Sequence, residues 1–147
     1  LSAHEAGLLL RSLRTLPVRL KQHEENALFI IDKMNAHPDI TKIFHPAVNT
    51  NSASMLKGYS SLLSIEVSNN IDVATFCEAL QIFYIGVSWG GYESLVLPAF
   101  ASIRRGGNYN AALDFNLSEK WIRLFIGLED KTDLWSDIEQ ALNNAIR

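Results

Sequence analysis

An arginine in an alternating segment is the residue best suited to bind a ligand. From residue 121 to 126 the sequence reads Trp-Ile-Arg-Leu-Phe-Ile. As a strand, this segment would place Ile122, Leu124 and Ile126 on a buried face and Arg123 between two aromatic rings on the other. The planar guanidinium could there bind both oxygens of a carboxylate, because flanking rings limit competition from water. Alternatively, Arg123 stacks on those rings or pairs with a surface acid.

A second candidate is the segment Ser88-Trp89-Gly90-Gly91. Backbone beside two glycines can approach a ligand closely and present N–H groups to an anion. The alternative interpretation is an ordinary bend that carries a core tryptophan. Taken alone, the motif leaves both interpretations open.

Other chemistry finds little support in the sequence. The single cysteine, Cys77, cannot form an internal disulfide, which fits a reducing cytoplasm and the role of a small buried apolar residue. The four histidines are scattered without a zinc-type pair, so no metal site is predicted. No glycine-rich phosphate loop of a known kind is present.

Length and composition predict one globular domain. The chain has 147 residues, of which 48% are hydrophobic and 20% are charged. Its net charge of −3 argues against nucleic acid or anionic lipid as a partner. Its apolar runs are too short to cross a bilayer, and no signal peptide precedes the first helix. Because the sequence opens at Leu1 without an initiator methionine, we expect a piece of a longer protein.

The periodicity predicts an α+β fold with antiparallel strand pairing. Ser2 and Glu5 form a capping box for a helix to about residue 15, and Pro17 should begin a second helix that ends at His37. Further helices are expected at 72–80 and along the stripe from Leu134 to Ala145. Strands are expected at 42–45, 60–67, 83–87, 94–97 and 121–126, with loops at 49–54 and 106–110.

An ordered series of motifs resembles the C-terminal part of the pyridoxal-phosphate enzymes of cysteine and methionine metabolism. The motifs run across nearly the whole chain: Arg11-Ser12-Leu13-Arg14-Thr15-Leu16, His23, Asn26-Ala27, His45-Pro46, the segment from Ser88 to Leu95, the segment from Ile122 to Asp130, and Asp133-Leu134. That family includes cystathionine β-lyases, cystathionine γ-lyases, cystathionine γ-synthases and methionine γ-lyases.

Details of these motifs resemble the β-lyase members most. Tryptophan follows the serine in Ser88-Trp89, where γ-enzymes more often carry leucine. Two departures are present: Ser12 replaces the usual glycine, and Val87 stands where β-lyases commonly have tyrosine. The resemblance implies cleavage of the Cβ–S bond of cystathionine to homocysteine, pyruvate and ammonia by the full-length enzyme.

The resemblance also implies the site, the fold and the partners. Arg123 would bind the substrate α-carboxylate, with Ser88 and Trp89 in the same pocket. Residues 37–147 would form the small C-terminal domain of the aspartate-aminotransferase-like (fold type I) enzymes, an antiparallel sheet with helices on one face, preceded by linking helices at 1–36. The full-length enzyme would be a homo-oligomer, a tetramer, acting on a small amino-acid thioether.

The catalytic residues are expected upstream of this chain. In the family, the lysine that holds pyridoxal phosphate and the other cofactor-binding groups precede the first motif. None of the six lysines corresponds to that position. We therefore expect this chain alone to bind no cofactor and to be inactive.

Overall fold

The computed structural model describes residues 2–48, 56–104 and 111–147, with side chains from residue 113 in the last range. The loops expected at 49–54 and 106–110 lie outside these residues. Helices and strands follow in the predicted α+β order. The strands are β1 (Ile40–Phe44), β2 (Leu62–Val67), β3 (Tyr84–Ile85), β4 (Leu95–Pro98) and β5 (Trp121–Phe125).

The strands of the described residues form one sheet in the order β1-β2-β5-β4-β3. The pairings β1–β2, β2–β5 and β4–β5 are antiparallel, whereas β3 pairs with β4 in parallel. The prediction of a purely antiparallel sheet is therefore wrong at this edge. The connection 86–94 returns the chain to the same end of the sheet, so β4 runs in the direction of β3.

The first helix, α1 (Ala3–Asn35), begins as predicted. The Ser2 hydroxyl accepts from the Glu5 N–H, and the Glu5 carboxylate accepts from the Ser2 N–H, which completes the capping box. Leucines in its first half are exposed. Its second half is buried along one stripe: Ala27, Ile30, Ile31 and Met34.

A single helix replaces the two helices predicted for residues 2–37. Pro17 lies inside α1, although proline removes one backbone donor and disfavours a helical residue before it. The proline lies in the exposed half of α1. Water can therefore reach the carbonyl four residues earlier, which has lost its backbone donor. Thr15 Oγ1 and Arg19 Nη2 both donate to the Ser12 carbonyl, which lies in the turn before the proline. The corner expected at residues 15–17 is therefore absent.

Helices cover one face of the sheet and enclose the core. The second half of α1 packs with α2 (Val73–Ala79) and α5 (Lys131–Asn144) against this face. The alternation predicted for β2 is confirmed, with Leu63, Ile65 and Val67 buried. Ile122 and Leu124 of β5 are fully buried beside them, so their alternating neighbours point to the opposite, open face.

Helix ends carry acidic caps. Asp72 caps α2, and backbone hydrogen bonding from Thr75, with further help from Arg147, lowers the pKa of that carboxyl. Asp130 caps α5, and hydrogen bonds donated by the Thr132 hydroxyl and the Thr132 N–H lower the pKa of its carboxyl.

Two short helices that the periodicity did not predict, α3 (Ala99–Ile103) and α4 (Ala111–Asp114), precede β5. Within the described residues, none of the helices has the combination of length and apolarity needed to cross a membrane.

Candidate functional site

Arg123 lies in the middle of β5 and projects from the open face of the sheet. Ser64 of β2 and Leu97 of β4 are its neighbours in register. Its Nη2 donates to the carbonyl oxygen of Val87 at 2.6 Å. The side chain is half-buried, since the residue keeps an intermediate exposure. This bond connects Arg123 to the segment that carries Ser88 and Trp89.

The two aromatic residues that flank Arg123 in β5 contact other rings. Trp121 packs on Phe44 at a centroid distance of 4.3 Å, and Phe125 packs on His23 at 5.2 Å. Among the described residues, Arg123 has neither a ring contact nor an acidic partner within 4.0 Å. Both structural alternatives, stacking and pairing with a surface acid, are therefore unsupported here. The positive charge remains available to an anion.

The segment from Val87 to Glu93, called the site loop below, is exposed over its first half. Trp89 is 63% exposed, and Gly90 adopts a φ of +90°, a conformation that favours glycine. The motif is thus a bend, but its tryptophan does not lie in the core. Val87 O and Ser88 N belong to one trans peptide plane, so the Arg123 bond also fixes the direction of the Ser88 N–H.

An apolar cavity of about 220 Å³ adjoins the site loop. Trp89 and Gly90 form one wall, and Leu16, Leu20 and Phe125 line the others. Phe125 and Arg123 share a strand face two residues apart, which separates them by about 7 Å. A cation and an apolar space therefore lie on the same side of the sheet.

Two residues of the quoted motifs hydrogen-bond the backbone at the end of β5, and one of them, His23, also lines the apolar cavity. His23 and Asn26 are buried on α1. His23 Nδ1 is hydrogen-bonded to the Ile126 carbonyl at 2.9 Å, and Asn26 Nδ2 donates to the Gly127 and Glu129 carbonyls. These bonds join residues more than 100 positions apart in the chain. Sequence reasoning assigned them no role, because only the fold reveals their partners.

Cys77 is buried, as the sequence analysis predicts for a small apolar residue. Burial raises the pKa of the Cys77 thiol to about 12, so the reactive thiolate is scarce at neutral pH. No cluster of three or more His, Cys, Asp or Glu residues that could hold a metal ion occurs in the described ranges.

The described residues do not by themselves form a site for a carbonyl cofactor, which needs a lysine close to the bound substrate. Lys120 donates to the Ile71 carbonyl, Lys42 pairs with Glu66, and Lys21 pairs with Glu25. Lys33 and Lys131 lie over the ring of Phe29, and Lys57 is exposed. None of these contacts involves Arg123 or the site loop.

Comparison with known proteins assigns the chain to a family. The sequence profile of the family described as "Cys/Met metabolism PLP-dependent enzyme" matches residues 1–143. The chain belongs to this family. The resemblance of its motifs is thereby confirmed, and so is the α+β fold expected from that resemblance.

Individual relatives differ in their activities. A cystathionine β-lyase of Bordetella avium is 35% identical over 98% of this chain and 37% of its own length. An L-alanine/L-glutamate racemase of Wolbachia pipientis wMel is 33% identical over 97% of this chain and 36% of its own length. The family is therefore shown, while the activity within it is not distinguished.

A solved structure of a relative has the same fold. The cystathionine γ-lyase of Lactobacillus plantarum, crystallised with L-serine, superposes with a TM-score of 0.85 at 28% identity. The match covers 99% of this chain and 39% of that protein. The chain thus spans little more than a third of the length of the relatives that it matches.

Proposed function

We propose that this chain is the substrate-carboxylate-binding C-terminal domain of a cystathionine β-lyase. The observation that carries the proposal is the Arg123 guanidinium, which is half-buried on the open face of the sheet and has no acidic partner among the described residues. A planar cation of this kind binds an amino-acid carboxylate through two parallel hydrogen bonds. The Ser88 N–H and the Trp89 ring lie on the segment that Arg123 holds.

The surroundings of Arg123 suit a thioether amino acid. Its carboxylate would bind the guanidinium, and its methylene and sulfur atoms would find apolar contacts along Trp89 and the cavity beside Phe125. In this proposal the rest of the parent protein supplies pyridoxal phosphate and its lysine. The parent is proposed to act in the cytoplasm as a homo-oligomer, a tetramer.

The β-lyase activity is favoured over the γ-activities by Trp89 and by the relative from Bordetella avium, which carries that name. Products distinguish the candidates. The purified parent enzyme supplied with L-cystathionine should release pyruvate and homocysteine. Cysteine with 2-oxobutyrate would instead indicate a γ-lyase, and racemisation of L-alanine without a keto acid would indicate an activity like that of the Wolbachia relative.

A noncatalytic binding module of the same fold is the alternative in another class. The gene decides between the two, because a lyase needs a lysine-bearing cofactor domain encoded ahead of Leu1. An open reading frame without such a domain would support the binding module and contradict the lyase.

This chain alone should bind no pyridoxal phosphate in a saturable way. The expected result of a titration is no stoichiometric absorption band in the visible range, because the described lysines lie away from Arg123 and the site loop. Slow reaction with surface lysines is recognised by its failure to saturate. A band that saturates at equimolar cofactor would contradict the assignment of the cofactor site to the rest of the parent.

A further inference from the structure

The C-terminal end of the site loop is held by one buried serine. Ser94 is fully buried, and its N–H and Oγ donate to the two carboxylate oxygens of Glu129 at 2.8 and 2.9 Å. The same Oγ accepts from the Gly127 N–H at 2.8 Å. The N–H and the hydroxyl of Ser94 are therefore both hydrogen-bonded to the segment 127–129, which follows β5.

That segment is itself fixed from two sides. Asn26 of α1, which is fully buried, donates to the Gly127 and Glu129 carbonyls at 3.0 and 2.9 Å. The Leu128 N–H donates to the Tyr92 carbonyl of the site loop at 2.8 Å. One hydrogen-bonded cluster thus connects the site loop, the end of β5 and α1.

Gly127 lets the two backbones touch. A Cβ atom at this position would meet the carbonyl oxygen of Tyr92 and would lie 2.7 Å from the carbonyl carbon of Glu93. Both are backbone atoms, which cannot move aside as a flexible side chain can. The end of the site loop therefore rests directly on the backbone that carries Glu129.

Within the part of the chain that the structure describes, the middle of the site loop has no comparable hydrogen bonds. Ser88, Trp89 and Gly90 are exposed, and glycine imposes few conformational limits of its own. The loop is restrained at its ends, by the Arg123 bond to Val87 and by the Glu129 bonds to Ser94. Its conformation should depend on both, since an exposed loop has little burial to define it.

We propose that Glu129 is a positioning residue, which orders the site loop through Ser94 and so presents Ser88 and Trp89 to the substrate. The identity of the substrate in this inference rests on the proposed function. The ordering of the loop by Glu129 does not depend on that function. Glu129 touches neither the open face at Arg123 nor the cavity. Its effect on binding therefore passes through the loop.

The test compares Glu129→Gln with wild type in the full-length parent enzyme. Glutamine keeps one oxygen for the Ser94 N–H but cannot accept from Ser94 Oγ. Loss of this charge-assisted bond should raise KM for the amino-acid substrate about tenfold, with kcat changed by less than about threefold. The Leu128 amide, which donates to the Tyr92 carbonyl of the site loop, should exchange hydrogen about tenfold faster, while the amides of β2 and β5 keep their wild-type rates.

Two further variants keep the test decisive. Ser94→Ala removes the same bond from the other side and should reproduce the effect if Glu129→Gln fails to fold. Glu25→Gln, an exposed helical glutamate with an ion pair to Lys21 at 3.8 Å, is the matched control and should change neither KM nor exchange. Unchanged exchange of the Leu128 amide in both cluster variants would overturn the proposal. Faster exchange throughout the sheet would overturn it too, because Glu129 would then be a general stability residue.

Failure of this inference is separable from failure of the proposed function. Hydrogen exchange is measured without substrate and needs no activity. A wild-type parent that does not cleave cystathionine contradicts the lyase assignment, whereas the exchange of the Leu128 amide still decides whether Glu129 orders the loop.

Discussion

Replacing Arg123 by alanine in the parent enzyme should lower kcat/KM for cystathionine by about 30-fold or more, because a charge-assisted bidentate contact is typically worth roughly 2 to 5 kcal/mol when one partner is removed. The structure adds a second reason. Alanine also releases the Val87 carbonyl, so the peptide plane that carries the Ser88 N–H loses its restraint. Steady-state kinetics on the purified variant measures the effect.

Two variants identify the cause of that loss. Arg123→Lys should restore little activity, since an ammonium group can bond the Val87 carbonyl but cannot present a planar fork to a carboxylate. Arg104→Ala is the matched control, because this exposed arginine pairs with Glu119 at 2.8 Å and has no contact with the site loop. Near-normal kcat/KM in Arg123→Ala would show that Arg123 is no substrate ligand. Loss of folding as the main effect of Arg123→Ala would lead to the same conclusion.

The stability of Arg123→Ala should remain close to that of wild type. Arg123 points away from the core face formed by Ile122 and Leu124, and its side chain is only half-buried. Surface substitutions of this kind change the free energy of unfolding by about 0.5 kcal/mol. A thermal melt of the variant checks that lost activity is not lost structure.

Strict alternation explains why β5 and its arginine could be predicted from sequence. A strand repeats every two residues, so three apolar residues at 122, 124 and 126 leave only one face for Arg123. The amphipathic stripe of α5 is equally direct, because Leu134, Ile138 and Leu142 recur at helical spacing and are fully buried. In both elements one face must be buried, and local spacing then decides the structure.

Features that depend on distant partners could not be predicted. The continuation of α1 through Pro17 depends on exposure, which local propensity does not report. The parallel pairing of β3 with β4 depends on the path of the intervening connection. The cluster around Glu129 joins segments that are 35 and 103 positions apart, a separation at which a single sequence carries no pairing signal.

The bend at Ser88-Trp89-Gly90 lies between these cases. Its glycines predicted a tight bend correctly, since a φ of +90° at Gly90 is one that side chains disfavour. The exposure of Trp89 was not predictable, because aromatic residues are usually counted as core material. The proposed binding site rests on this exposed tryptophan and on Arg123, which has no acidic partner among the described residues.

A buried carboxylate on α5 should contribute strongly to the stability of this chain through its hydrogen bonds. Asp137 is 5% exposed, and its oxygens accept from the backbone N–H groups of Gln81 and Ile82 at 2.8 Å each. It also accepts from the Phe83 N–H at 3.4 Å and from Gln140 Nε2 at 3.1 Å. These donors lie where the chain leaves α2 and turns toward β3.

Replacing Asp137 by alanine should therefore lower the free energy of unfolding by about 3 kcal/mol, because the part-buried N–H groups of Gln81 and Ile82 would lose a charged acceptor. Asparagine should recover part of the loss, since one oxygen remains to accept while its amide group faces other donors. Urea unfolding of the chain measures both variants, with Glu139→Gln on the exposed side of α5 as the control.

If Asp137→Ala unfolded at the same urea midpoint as Glu139→Gln, water would have to satisfy these donors, and the segment 81–83 would not be held by α5. In the expected case the same carboxylate that stabilises the core also fixes the start of β3, the strand that leads directly into the site loop.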